Sequence, residues 1–383
     1  MRNVGDSFRN WFGRFDGVPY RRRPDPWLLI PATALIAFGL LMVLNTTYFL
    51  AQEKDGDPFH LFKLQLGHVV AGAVVLVLLS QFSVTGLRRL TLPLMAIAVG
   101  LLIATWIPGL GVTRSGARRW VRIGPLLAEP SELVKFAIVF FLADFLARRQ
   151  EVLGQFKRGP LPAMIVTGII AVFVLMQPDF GTTVMLALIL FAMLYAGGAR
   201  ASHLAATGAA AFVILMLQAV AKPYRMRRLE SFIDPWRAAR GAGFQLIQSF
   251  IALGEGGKWG IGLGAGRQKM FYLPAAHTDF VFAVVTEEFG LVGAAVVLAL
   301  FGIILVRGLR IAHEEPDPFA SMLAVGLTAM IAMQALLNLA VVTGLVPTKG
   351  LPLPFLSYGG TSIVIAMAAL GVLSALAHRR VVE

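Results

Sequence analysis

The chain has no cysteine among its 383 residues, which excludes a disulfide framework, a thiol nucleophile and any cysteine-ligated metal, and leaves the redox compartment unmarked. Charge is scarce as well. Asp, Glu, Lys and Arg make up 14% of the residues against 57% hydrophobic ones, with a mean hydropathy of +0.74, whereas a soluble domain carries about a quarter charged residues. A soluble globular protein is thereby excluded. The first 26 residues hold six Arg and no short apolar stretch ending in a small-residue cleavage site, so segment 1–26 reads as an uncleaved basic tail. None of the six His falls in a metalloprotease pattern and no Ser in a G-x-S-x-G setting. The run GIGLGAGRQK, with glycines at 260, 262, 264 and 266, fits neither the dinucleotide fingerprint nor the P-loop spacing.

Long apolar runs fill the space these absences leave. A spanning helix needs roughly 20 apolar residues, and ten candidates occur near 27–50, 61–82, 89–107, 131–147, 161–177, 181–196, 204–221, 281–306, 320–343 and 360–377. The expected fold is an all-α polytopic membrane protein, a bundle of about ten transmembrane helices forming a single domain over 27–380, with a large extracytoplasmic loop between the seventh and eighth. Ten spans put both termini on one side, and Arg21, Arg22 and Arg23 before the first span argue for the cytoplasm. With that orientation Lys and Arg number 17 on each side. Setting aside the long outer loops 108–130 and 222–280 leaves 17 inside against four outside, as the positive-inside rule requires. The net charge of +13 is spread over loops rather than gathered in a basic domain, which points away from nucleic acid and toward lipid phosphate or anionic headgroups.

The segment 222–280 carries nine of the 34 Lys and Arg and ends in PAAHTDFVFAVVTEE. Irregular backbone finds no hydrogen-bond partners in hydrocarbon, so this loop must lie outside it or line a cavity. Within it GFQLIQSFIALGEGG has an apolar stripe, Phe244, Ile247, Phe250 and Ile251, suited to a surface helix that Gly256 and Gly257 would end. Asp279 supports two roles. It could cap the eighth span, or, partly withdrawn from water, act as a general base with a raised pKa. Glu287 and Glu288 follow inside the span, where ionisable groups either hold helices together or serve function. Loop 108–130 sets Arg114, Arg118, Arg119 and Arg122 around Trp120, with Glu129, Glu132 and Lys135 at the entry of the fourth span. That set reads either as a diphosphate clamp or as an interfacial basic helix with Glu132 and Lys135 paired one turn apart. Asp179 in QPDFGTT, and Asp55 and Asp57 in KDGDP, read as turn residues.

The segments GARRWVRIGPLLAEPSELVK, QPDFGTT, YRMRRLESFIDPWRAARGAGFQLIQSFIALGEGG, GLGAGRQKMFYLPAAHTDFVFAVVTEEFG and VPTKGLPLPFLSYGGTS resemble, in order and spacing, the SEDS family of shape, elongation, division and sporulation proteins. The last two are more similar to its cell-division branch than to its elongation branch. The resemblance implies a peptidoglycan glycosyltransferase of the bacterial inner membrane that polymerises lipid II at the outer face, with undecaprenyl diphosphate as leaving group. A class B penicillin-binding protein and other divisome membrane proteins would be its partners. It puts the essential aspartate at Asp279, an arginine-tryptophan element at Arg119 and Trp120, and a further element at Pro130, Ser131, Glu132 and Lys135. Lys269, His277, Thr278 and Glu288 complete the candidate substrate-binding set. Asp279 would take the proton of the acceptor hydroxyl while Arg119, Lys135 and other loop cations stabilise the departing diphosphate, with a divalent cation, magnesium or manganese, as the one cofactor this chemistry leaves room for; no residue is assigned as a metal ligand. Two positions depart from the family pattern. Glu129 stands where Gln is usual, adding negative charge beside the clamp, and Ala275 where Glu is usual, removing a carboxylate near Asp279. A lipid II flippase, a polymerase of the elongation type and a non-catalytic divisome scaffold are the rival readings.

Overall fold

The computed structural model describes residues 25–377 apart from 115, 116, 125, 221, 222, 240 and 242; Arg21, Arg22 and Arg23 of the tail lie outside the described residues. All ten apolar runs are helices. They are α1 Pro26–Asp55, α2 His60–Ser80, α3 Val84–Ala104, α4 Pro130–Ala147, α5 Pro160–Met176, α6 Phe180–Ala196, α7 Ala201–Val220, α10 Val281–Glu314, α11 Pro318–Val342 and α12 Gly360–Ala377. Their starts are written locally: Asp25, Ser83 and Asp317 accept the backbone N–H of Trp27, Gly86 and Ala320 at 3.0, 3.1 and 2.9 Å. Pro26, Pro130, Pro160 and Pro318 open their helices, at the position where a missing N–H costs nothing. Seven of the ten are long and apolar enough to cross a membrane. The helices α5 and α6 are apolar but 17 residues long, about 26 Å, and α4 carries Glu132, Lys135 and Asp144.

Helices α2 and α12, α10 and α11, α11 and α4, α3 and α4, and α10 and α1 form the main packed pairs, while α7 stands at the periphery against α6. Lipid tails are as apolar as the helices, so close backbone approach drives association. A Cβ on Gly371 of α12 would sit 2.6 Å from the carbonyl oxygen of Leu76 on α2.

Two of the segments between spans differ from expectation. Residues 108–130 form a three-stranded antiparallel sheet, β1 Gly111–Arg114, β2 Ala117–Ile123 and β3 Leu126–Ala128 in that order, rather than an interfacial helix. The alternation in ARRWVRI has the period of a strand, and it places Trp120 opposite Val112 and Arg122 opposite Leu127.

The second difference concerns the large loop, which opens with α8 Pro223–Ile233 and continues to α9 Phe244–Gly256, ended at Gly257 as expected. Instead of lying on the membrane surface, α9 packs on α10 and buries Leu246, Ile247, Ser249 and Ala252. Helix α10 breaks at Gly290, whose φ of 63° and ψ of −161° only glycine adopts freely. The chain after α9 fills the break: Ile261 and Gly262 donate to the carbonyls of Glu287 and Glu288 at 3.1 and 3.0 Å, and Leu291 and Val292 donate to Gly257 and Lys258 at 3.0 and 3.2 Å. Every one of these backbone groups is thus satisfied at a depth about 14 Å along α10. The loop 222–280 is therefore re-entrant, not wholly outside the bundle.

Candidate functional site

Asp279 lies in the turn that leads into α10, and its backbone is clamped from the loop between α11 and α12. Tyr358 N–H donates to the His277 carbonyl at 2.8 Å, Ser357 Oγ to the Thr278 carbonyl, and Asn338 Nδ2 to the carbonyls of Asp279 and Leu351, both at 2.7 Å. Phe280 is buried beside it. The N-cap of α10 is Phe280, without a side-chain cap, so Asp279 is not spent on capping. Among the described residues no donor hydrogen-bonds its carboxylate, and Gly350 leaves the space in front of it, since a Cβ there would lie 3.1 Å from Oδ2. Burial pushes the Asp279 carboxyl up to about 7, against the lowering pull of Arg228 and then Arg119.

Those two arginines reach the site from distant parts of the chain. Arg119 on β2 is oriented by two carbonyls of the α5–α6 turn, with Nε donating to Gln177 at 3.2 Å and an η nitrogen to Pro178. Gln177 is itself fixed by donating to Thr105 Oγ1 at 2.7 Å and the Leu102 carbonyl at 3.0 Å. Arg228, on α8, donates to the Thr348 carbonyl at 3.4 Å. Next along that loop, the Lys349 ammonium lies 4.7 Å from the Phe180 ring centre, and burial lowers its pKa to about 8 despite Asp179.

Glu129 is pushed up to about 8 by burial and then by Asp179 and Glu132, against Lys135 and Arg119. The shift favours the neutral acid near neutral pH, which reduces the extra negative charge expected beside the clamp. Asp179 is the turn residue expected, capping α6 by accepting from Thr182 N at 3.1 Å and Thr182 Oγ1 at 2.8 Å. Asp57 likewise serves a turn, bonded to Phe59 N–H and Lys63. Ala275 has a left-handed φ of 56°, and its carbonyl gathers the N–H groups of Thr278 and Phe280 and the Thr278 hydroxyl.

The remaining expected residues divide. His277 lies at the site, its ring 5.9 Å from that of Tyr358 and its pKa held down to about 4 by burial and then Lys54, which makes it a neutral imidazole. Trp120 is half-buried on β2 across from Val112. Glu132 and Lys135 form an enclosed pair at 2.7 Å, and the ammonium also donates to Gln334 Oε1 at 2.6 Å. Lys135, expected at the leaving phosphate, is fully buried, and its bond to Gln334 ties α4 to α11. Lys269 and Glu288 are likewise enclosed: their side chains are 2% and 0% exposed and pair at 2.7 Å. Asn45 closes that pair from α1, accepting from Lys269 at 2.6 Å and donating to Glu288 at 2.7 Å. Glu287 accepts the Arg267 and Gln268 N–H groups at 2.7 and 3.3 Å, and a Cβ on Gly266 would lie 2.8 Å from Glu288 and 2.9 Å from Glu287. The glycine run thus seats the loop on two buried carboxylates.

Arg228, Lys349, Gly350 and Asn338 were not singled out by sequence reasoning. Lys349 is the only cation of the loop between α11 and α12, which was a usable signal; Arg228 is one of several in YRMRRLE, and nothing local distinguishes it. Among the described residues no three His, Asp or Glu side chains converge to hold a metal ion.

The family model described as "Cell cycle protein", covering FtsW, RodA and SpoVE, matches residues 26–381. Stage V sporulation protein E of Bacillus subtilis is 40% identical over 353 residues, spanning 91% of this chain and 96% of that one. The probable peptidoglycan glycosyltransferase FtsW of Geobacter sulfurreducens is 38% identical over 357 residues, spanning 93% and 96%. A solved chain from work described as "Structural coordination of polymerization and crosslinking by a peptidoglycan synthase complex" superposes with a TM-score of 0.75 at 31% identity, covering 93% of this chain and 98% of that one.

Proposed function

The chain belongs to the FtsW, RodA and SpoVE family of cell cycle proteins, and from that premise we propose that Asp279 is the general base of a lipid II polymerase. The protein is a multi-pass peptidoglycan glycosyltransferase, of the cell-division type that the FtsW relatives represent. The observation that carries the assignment of the base is a carboxylate with no hydrogen-bond donor among the described residues, lifted to about 7, and facing Arg228 and Arg119.

The chemistry follows from that pairing. An acceptor sugar hydroxyl placed at Asp279 gives its proton to the carboxylate as its oxygen attacks the donor's anomeric carbon; the bond from that carbon to the diphosphate oxygen breaks, and the configuration inverts. A base near 7 is half ionised at working pH and still basic enough to take the proton in the transition state. The negative charge that develops on undecaprenyl diphosphate is met by Arg119, Arg228 and Lys349, of which Arg119 is held by backbone carbonyls before substrate arrives. Neutral His277 and the Thr278 hydroxyl offer hydrogen bonds to the sugars. The side of Asp279 faces the outside of the cytoplasmic membrane, both termini are cytoplasmic, and a class B penicillin-binding protein crosslinks the product.

The test is polymerisation of lipid II by the purified full-length chain with its transpeptidase. Asp279→Ala should abolish glycan formation while complex formation persists; polymer made at the native rate by that variant would refute the assignment, and would leave the flippase or scaffold readings.

A further inference from the structure

Helix α4 begins at the Asp279 side, where Glu129 precedes it, and runs to the opposite face. Asp144, 15 residues beyond Glu129, lies about 22 Å further along it. There the C-terminal end of α4 and the N-terminal end of α3 enclose a cavity of about 590 Å³ lined by Arg88, Arg89, Arg148, Arg149, Asp144 and Thr91 together with apolar side chains. Four guanidinium groups against one carboxylate give the lining a net charge of +3.

The arginines are arranged rather than merely abundant. Arg88 and Arg148 each spend only Nε on Asp144, at 2.6 and 2.9 Å. Their η nitrogens are without a hydrogen-bond partner among the described residues. Arg88 also lies 5.5 Å from the Phe319 ring centre, and Arg149 4.4 Å from that of Phe145, which fixes both planes. Arg89 is exposed and makes no ion pair or hydrogen bond among the described residues. Thr91, in the same lining, is 4% exposed, and its hydroxyl has no hydrogen-bond partner among the described residues. Leaving a buried hydroxyl unpaired is costly, and such groups are ordinarily satisfied by protein, water or ligand.

We propose that this cavity binds the phosphate headgroup of an anionic phospholipid in the leaflet opposite Asp279. Arg149 donates one η nitrogen to the Arg158 carbonyl at 3.1 Å, but the unspent η nitrogens of Arg88 and Arg148 and the whole fork of Arg89 suit phosphate oxygens, and basic pockets between helices at the inner face are suited to such headgroups. A lipid fits better than a free anion because the lining continues into Leu92, which is 75% exposed on the membrane-facing side of α3, and into Phe141 and Phe145. Acyl chains would cover these surfaces while the phosphate sits among the arginines.

Native mass spectrometry of the full-length chain, delipidated in detergent and then given equal concentrations of phosphatidylglycerol or phosphatidylcholine, tests the proposal. Phosphatidylglycerol adducts should dominate at least tenfold. Loss of one arginine should cut retention about fivefold, so Arg89→Gln, at a position that makes no ion pair or hydrogen bond among the described residues, should lose about fivefold and the Arg89→Gln, Arg148→Gln double variant about 25-fold. Asp279→Ala should retain the lipid fully, which separates this reading from the one at the opposite face. Equal adducts of the two lipids, or retention unchanged in both arginine variants, would overturn it. Displacement of phosphatidylglycerol by millimolar inorganic phosphate would overturn the lipid assignment in favour of a free anion.

Discussion

Replacing Asp279 with Asn should abolish polymerisation and yet make the folded protein more stable. The carboxyl is raised from its ordinary 3.8 to about 7, chiefly by burial. At about 1.4 kcal/mol for each tenfold change in proton affinity, holding it ionised costs at most about 4 kcal/mol; because its edge is still open to solvent, about half that is the better expectation. Below pH 4 the carboxyl is protonated in both folded and unfolded chains, so it adds no pH dependence. Between about 4 and 7 the unfolded chain releases its proton while the folded one retains it, so native stability falls as pH rises, and above 7 the loss is complete. An amide at this position never ionises. The gain of Asp279→Asn over the native chain should therefore be near zero at pH 4 and grow to roughly 2 kcal/mol by pH 8, measured as unfolding of the detergent-solubilised protein across that range. A variant less stable than the native chain at pH 8 would mean that the arginines need a carboxylate to balance them, and the picture of a strained base would fail.

The rate of polymerisation should follow a bell. It should rise tenfold per pH unit below about 7 as Asp279 ionises and fall above about 8 as Lys349 loses its proton; Lys349→Arg, which keeps its charge, should extend the plateau to higher pH, and an unaltered alkaline limb would remove Lys349 from the cradle. Lys269→Met leaves Glu288 buried beside Asn45 without its cation, which should cost about 3–5 kcal/mol of stability. Adding Glu288→Gln should recover much of that loss in thermal unfolding, because no bare charge remains; a double variant no better than the single would show that the pair is not what holds the loop.

Much of the architecture follows from local pattern. Ten apolar runs become ten helices because in lipid a backbone must satisfy itself, and the Asp, Ser and Pro residues that start those helices act within three or four positions of themselves. Asp279 was legible for the same reason, as a lone carboxylate where a polar segment meets an apolar one. Partners far apart in the chain were not. Asn45 meets Lys269 across 224 residues, and Gln334 meets Lys135 across 199, so the partners of two lysines expected at the substrate could not be read from their neighbourhoods in sequence. The stripe on α9 suggested a membrane surface because an amphipathic helix looks alike whether lipid or protein covers its apolar side; the break at Gly290 supplied protein. Only the tertiary structure could decide how readily each carboxyl ionises, since burial raises both Glu129 and Asp279 while neighbours on other elements act in opposite senses, Asp179 raising the first and Arg228 and Arg119 lowering the second. Sequence determines which groups are available, and enclosure determines what each of them costs to ionise.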